Sequence, residues 1–224
     1  MKNKFIYFLL IFNLILFRSD ISIAENEFIF ESNSIEITDN GNNISAKNGV
    51  QVKSKDGLEI FSEETTYSKI SKKLILIGNV LVLDKKENIE IRSNKIVYDK
   101  NLELIISRDE TLINIDNKFN IKSENLMYLR SKGNLKSDKK TVLQDKLNNK
   151  VEANDFVYNI DTKKFISRNL FVTDKDKNRY YSKESAIDLS KNEIAAKDIE
   201  VYFAKNSDLG DNARLKGNSM VSNE

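Results

Sequence analysis

The sequence predicts an all-β protein built of stacked antiparallel hairpins, and three observations predict it. The first is a repeat: small residues stand at Ser62, Ser93, Ser123, Ala153 and Ser182, spaced 31, 30, 30 and 29 apart. The position five later is Tyr67, Tyr98, Tyr128, Tyr158 and Ile187. A steady period of this length marks a chain that stacks one supersecondary unit. The second observation is period-two alternation of apolar and polar residues around each small residue, as in the IEIRSNKIVYD run Ile89 to Asp99, which places neighbours on opposite faces of a strand. The third is that each period holds two such runs and two polar turns, the signature of an antiparallel meander. A right-handed parallel β-helix is the rival, but it normally has shorter rungs with Gly- or Asn-marked corners.

The chain opens with Lys2 and Lys4, an apolar run from Phe5 to Phe17, Arg18 and the triplet Ser22-Ile23-Ala24. Small residues at the first and third places of that triplet suit signal peptidase, so residues 1–24 are read as a cleaved secretory signal. The run is 13 residues long, short of the roughly 20 that span a bilayer. Retention of that run would instead mark an anchored inner-membrane protein. Phe28-Ile29-Phe30 and Ile35-Glu36-Ile37 then alternate as a strand, and the Asp39 to Asn43 run DNGNN is a turn by composition. From Val50 the repeats follow. Their connectors are alike in composition, with SKDG at Ser54 to Gly57, DKKEN at Asp84 to Asn88, DNK at Asp116 to Lys118, DKLNN at Asp145 to Asn149 and DKDKN at Asp174 to Asn178. Ile199 to Phe203 is the expected last strand, and residues 205–224 are expected to be a polar loop or tail. One elongated domain over residues 25–204 is therefore expected, since no Pro-, Gly- or Ser-rich linker divides it.

Aligned on the small residue, the repeats give three further columns, two of them apolar throughout. Two positions before it stand Ile60, Ile91, Ile121, Val151 and Tyr180; twelve after it stand Leu74, Ile105, Leu135, Phe165 and Ile194. The third position after it is Thr65, Ile96, Leu126, Phe156 or Ser185, and the fifth is the tyrosine column. Inward places thus run at offsets of minus two, zero, plus three and plus five. A step of three breaks the alternation, which predicts a β-bulge or sharp bend in each copy, as between Ser93 and Ile96.

Composition excludes more than it suggests. The chain has no Cys, His, Pro or Trp, so thiolate nucleophiles, imidazole bases and the usual zinc ligands are absent. Loss of the signal would remove Lys2, Lys4, Arg18 and Asp20, leaving 33 residues of each charge. A neutral chain without a basic, aromatic-studded patch is a poor nucleic-acid partner. The carboxylates fall in turns or on outward strand positions, where solvation explains them. Clusters such as Asp174 to Asp176 carry interspersed lysine, which argues against calcium. No enzyme activity, cofactor or metal is expected.

The apolar columns admit two readings. They fill a closed sandwich, as in a structural or adhesive repeat protein, or they line a trough open along one side. In a trough each buried methylene of a lipid chain would gain about 0.8 kcal/mol, or about 8 to 9 kcal/mol for a dodecanoyl chain. The repeated units, Ser93 with Tyr98-Asp99, Ser62 with Tyr67 and Ala153 with Tyr158, together with Gly78-Asn79-Val80 after a signal segment, resemble the OstA-like family of periplasmic lipopolysaccharide-transport proteins over residues 28–204. The resemblance implies a twisted β-jelly-roll, open along one side, whose copies dock end to end as a bridge between the membranes. It implies lipopolysaccharide as ligand, with Ile60, Tyr67, Ile89, Ile91, Ile96, Tyr98, Ile121, Leu126, Tyr128, Val151, Phe156 and Tyr158 touching acyl chains. It implies other domains of the same kind as partners, paired through the edge strands expected at Phe28 to Ile37 and Ile199 to Phe203. Residues 206–219 resemble the segment leading into the outer-membrane barrel of the family's assembly member. That member's barrel and cysteines are missing here, so the chain is read as a fragment or short form of it, or as the family's soluble bridge subunit.

Overall fold

A computed structural model describes residues 27–146, 149–191, 193–204 and 213–223. The expected signal segment and residues 205–212 lie outside these. Among the described residues no helix is long and apolar enough to cross a membrane. The strands are β1 (Phe28–Thr38), β2 (Asn43–Ser54), β3 (Leu58–Ser68), β4 (Lys73–Asp84), β5 (Ile89–Asp99), β6 (Leu104–Ser107), β7 (Thr111–Ile115) and β8 (Phe119–Ser123). They continue as β9 (Leu126–Leu129), β10 (Asn134–Ser137), β11 (Thr141–Asp145), β12 (Lys150–Asn159), β13 (Lys164–Thr173), β14 (Arg179–Asp188), β15 (Glu193–Tyr202) and β16 (Arg214–Asn223). All pair antiparallel in one sheet, as the meander requires and the β-helix does not.

The chain order is the sheet order once three interruptions are allowed for. β6 with β7, β8 with β9, and β10 with β11 are each one long strand broken midway. At these breaks the sheet divides: β6, β9 and β10 bridge β5 to β12 by one path, and β7, β8 and β11 bridge the same strands by another. Five of the long strands carry positive-φ residues at the same level. β2 carries Asn48 and Gly49 there, β4 carries Gly78 and Asn79, and β12, β13 and β15 carry Asp155, Asn169 and Asp198, all at positive φ. Asn, Asp and Gly tolerate that region best, which is why the bends fall on them. The strands therefore fold over, giving two half-sheets face to face. Half-sheet I ends in the turns at 55–57, 85–88 and 116–118, and half-sheet II ends in the turns at 69–72, 100–103 and 130–133.

The bend occurs where the columns place it, but its construction differs. Opposite Ser93 to Ile96 the register shifts between Ile77 and Val80, so Gly78 and Asn79 of β4 face the single residue Asn94. The extra residue thus sits on the neighbouring strand. In the third copy the strand simply breaks between Ser123 and Leu126, and in the fifth Ser182 and Glu184 keep regular register with Ile199 and Lys197.

The four serines of the small-residue column find hydroxyl partners along the line of these bends, as do neighbouring Ser and Thr residues. Breaking a ladder frees backbone carbonyls that must find donors. Ser93 Oγ donates to the Glu110 carbonyl at 3.1 Å, Ser137 Oγ to that of Glu124 at 2.7 Å, and Thr141 Oγ1 to that of Lys139 at 3.1 Å. The hydroxyls also pair with one another: Ser62 with Thr65 at 2.7 Å, Ser107 with Thr111 at 2.6 Å, Ser123 with Thr141 at 2.7 Å, and Ser182 with Ser185. A hydroxyl seam thus runs along the fold line.

Two expectations are corrected at the C-terminal end. Residues 214–223, expected in a polar tail, form β16, which pairs along its length with β15. Ile199 to Tyr202 is consequently flanked on both sides, by β14 and β16, and is not an edge. β16 takes that place, and β1 is the other end of the order. The two ends do not pair with each other among the described residues, so the sheet is not closed into a barrel.

Candidate functional site

The inner faces of the two half-sheets meet in one apolar core running from Phe28 to Leu170. Its rows follow from the register. On half-sheet II, Ile37, Ile44, Tyr67, Leu74, Tyr98, Ile105, Tyr128 and Leu135 are successive cross-strand neighbours, and Tyr158, Phe165, Ile187 and Ile194 extend the row to β15. Half-sheet I supplies Val52, Ile60, Val82, Ile91, Ile113, Ile121 and Leu143 in the same manner. The columns read from the sequence are therefore rows of one interior.

Exposure along these rows is graded. In the middle Ile60, Ile89, Ile91, Ile96, Tyr98, Ile121, Leu126, Tyr128 and Phe156 are all enclosed. Toward β1 the same rows emerge: Ile35 is 44% and Ile37 61% exposed. They line an open depression of about 580 Å³ with Phe28, Phe30, Ile44 and Tyr67, rimmed by Glu27, Lys69 and Lys72. Toward β16 they emerge again, with Leu215 56% and Met220 41% exposed. Just short of that end the halves part around an apolar cavity of about 180 Å³ lined by Ile115, Phe119, Ile121, Leu143, Val151, Tyr158, Phe165 and Ile187.

The expected ligand-contacting residues thus divide into three groups. Ile121, Val151 and Tyr158 face the cavity, Tyr67 faces the depression at the β1 end, and the other eight are packed against protein. Phe165 and Ile187, from the inward columns, and Asn149 and Leu189 also line the cavity, as do Ile115, Phe119 and Leu143, which lay in none of the expected columns. Their strands, β7, β8 and β11, belong to the interrupted rungs, and the alternation of each short run was the available signal.

The free ends of the halves are joined by charge, at positions whose local sequence reads as solvated turn. Arg130, the first residue of a 3-10 turn after β9, donates from Nε to Asp84 Oδ2 at 2.8 Å and from Nη1 to Asp56 Oδ2 at 3.0 Å. Lys100 donates to the same Asp56 carboxylate. Side-chain exposure is 6% for Arg130 and 1% for Asp84, so this pair lies inside the molecule. One rung earlier Lys72 donates to Glu27 at 2.6 Å.

The tyrosines reach this line of charge from within. Tyr67 Oη donates to Glu27 at 2.8 Å and Tyr128 Oη to Asp84 at 3.2 Å, while Tyr98 Oη accepts from Arg130 at 3.4 Å. A tyrosine has an apolar body and a polar tip, which suits a place between core and mouth. Burial, reinforced by the Asp84 charge, pushes the Tyr128 phenol upward from its ordinary pKa. Burial alone would raise Asp56, but its bonds from Lys100 and Ser54 and the Arg130 charge hold it well below the carboxylate range. Lys100 is lowered by burial and raised further by Asp56, for a net upward shift. Asp56, Lys100 and Arg130 therefore stay ionised, with Tyr98 and Tyr128 neutral, across the ordinary pH range.

No protein-family model and no curated protein matches the chain. Among solved structures it is similar to LptH, the LptA homologous periplasmic component of the conserved lipopolysaccharide transport device from Pseudomonas aeruginosa. Sequence identity is 11%, the match covers 63% of this chain and 81% of that one, and the TM-score is 0.27.

Proposed function

We propose that the chain is a non-enzymatic, periplasmic module of lipopolysaccharide transport that shields acyl chains between its half-sheets and docks end to end with like domains. The observation that carries this reading is the interior itself: apolar rows run through the molecule and come to the surface at its two ends, at Ile35 and Ile37 and again at Leu215 and Met220. A fold serving only its own stability has no need to present inner-face side chains at both ends. The resemblance of the repeats to the OstA-like family supports the same reading. The incorporation of residues 214–223 into the sheet favours the soluble bridge subunit over an LptD-type domain leading into an outer-membrane barrel. In this reading the cleaved signal delivers the protein to the periplasm. An LptD fragment would instead be associated with the outer membrane.

The cavity limits what the resting molecule accepts. A dry cavity of about 150 Å³ accepts a benzene-sized group, so a space of about 180 Å³ takes the end of one acyl chain and not a whole lipid. Acyl chains beyond that need the halves to move apart. The enclosure of the central residues favours a second reading, a structural β-repeat protein with a closed core. Binding separates the two. In detergent-free buffer the transport reading predicts saturable binding of intact lipopolysaccharide and none of the deacylated saccharide. Equal binding of both, or of neither, would leave the structural reading.

A further inference from the structure

The charged cluster at the mouth holds together the two half-sheets over the stretch of interior that is fully enclosed. Asp56 and Asp84 come from the ends of half-sheet I, and Lys100 and Arg130 from the ends of half-sheet II. Tyr98 and Tyr128 lie directly beneath, joined to Arg130 and Asp84 respectively. We infer that this cluster is a latch: it closes the middle of the interior in the resting protein and parts, with its charges passing into water, when the interior is to be occupied.

Three features support a latch over a merely stabilising contact. Buried ion pairs are poor sources of stability compared with apolar packing of the same volume, so stability alone does not explain charges at the rim of an apolar core. A seam closed by apolar side chains would expose them on opening, at a cost proportional to area. A seam closed by ions regains their hydration on opening, which makes parting reversible. Finally, three of the four charged latch residues stand in turns, beyond the ends of the paired strands. Asp56 and Lys100 lie in turns, and Arg130 begins a short turn that ends at Gly133 with φ 58°. The hydroxyl seam at the opposite, folded side supplies the line about which the halves would part. The inference deepens the transport reading and rests on it only for the identity of the cargo.

The test uses an apolar dye, N-phenylnaphthylamine, which fluoresces when withdrawn from water and needs no lipopolysaccharide. The double substitution Asp56→Asn with Lys100→Gln removes the more exposed half of the latch and leaves Arg130 paired with Asp84. It is expected to raise dye uptake severalfold. Amide exchange should quicken at Val82 to Asp84 and Tyr128 to Arg130 but not at the bend, Ser62 to Thr65. Unchanged uptake, or equal acceleration at mouth and bend as in general loosening, would overturn the latch. A second variant guards against misfolding. The chain contains no cysteine, so Asp56→Cys with Lys100→Cys can be bridged selectively by a bismaleimide with a reducible centre. Uptake should be low when bridged and rise on reduction, and equal uptake in the two states would overturn the proposal. Should the latch behave as expected while no form binds lipopolysaccharide, the latch stands and the cargo is another apolar molecule.

Discussion

Tyr128 shows at one residue how the repeat couples core to mouth. Its ring is wholly enclosed and its hydroxyl ends on Asp84, so Tyr128→Phe keeps the packing and removes one bond to a charged group. Such bonds contribute about 1.5 to 3 kcal/mol, and chemical denaturation should show a loss of that order. Arg130→Met is the harsher change, because it leaves Asp84 buried without its cation; about 3 to 5 kcal/mol is expected. A smaller loss for Arg130→Met than for Tyr128→Phe would mean that the ion pair is not buried in solution. Asp56 gives a pH dependence. Its carboxyl is held below the ordinary value of 3.8 in the folded chain, so the unfolded chain takes up the proton first. Its stabilisation is complete above that value and is lost as the pH falls further. The urea midpoint of the native protein should therefore drop on going from about pH 5 to about pH 3, and drop less in Asp56→Asn. The tyrosine column was legible in the sequence because it is periodic. Its partners were not, since Asp84 and Arg130 are 46 residues apart and each sits in a stretch that reads locally as a polar turn.

At the level of the strand, the step of three in the inward columns located the bend but not the strand that carries the extra residue. Parity within one strand reports only that the alternation fails; which neighbour absorbs the failure depends on pairing. Gly78 marks that neighbour. Its φ is 80°, and a Cβ there would collide with the side chain of Glu63. Gly78→Val should cost about 1 to 3 kcal/mol, as strained backbone positions do. The same change at Gly217, where a Cβ meets open space, should cost less, and equal losses by thermal unfolding would contradict the bulge. β16 was not legible because Leu215, Met220 and Val221 are too few and too widely spaced for a strand pattern. It is a strand because β15 offers it a paired edge.

For the molecule as a whole, the repeat made the all-β class and the stacking of hairpins readable, down to which side chains point inward. How far the interior is open was not readable, because that depends on how closely two faces approach. The approach is set by contacts between turns such as 55–57 and 130–133, distant in the chain. The exposed ends carry the docking proposal. Ile37→Asp at one end and Met220→Asp at the other alter side chains that are 61% and 41% exposed. Each should weaken association with like domains, followed by sedimentation against concentration, without lowering the melting temperature. Association unaffected by either change would remove the end faces from the docking surface.

The most direct test of acyl-chain shielding is to place a photoreactive residue at single positions and map where lipopolysaccharide crosslinks. The interior is probed at Leu143 and Phe165 in the cavity and at Ile35 in the depression, with Ile75 and Ile166 on the outward face of the same sheet as controls. Substituting an enclosed residue such as Ile91 would disturb folding and is a poorer probe. Crosslinking at Leu143, Phe165 and Ile35, with none at Ile75 and Ile166, is the predicted result. Crosslinks at the outward positions alone, or at neither set in a protein that retains its fold, would contradict the account.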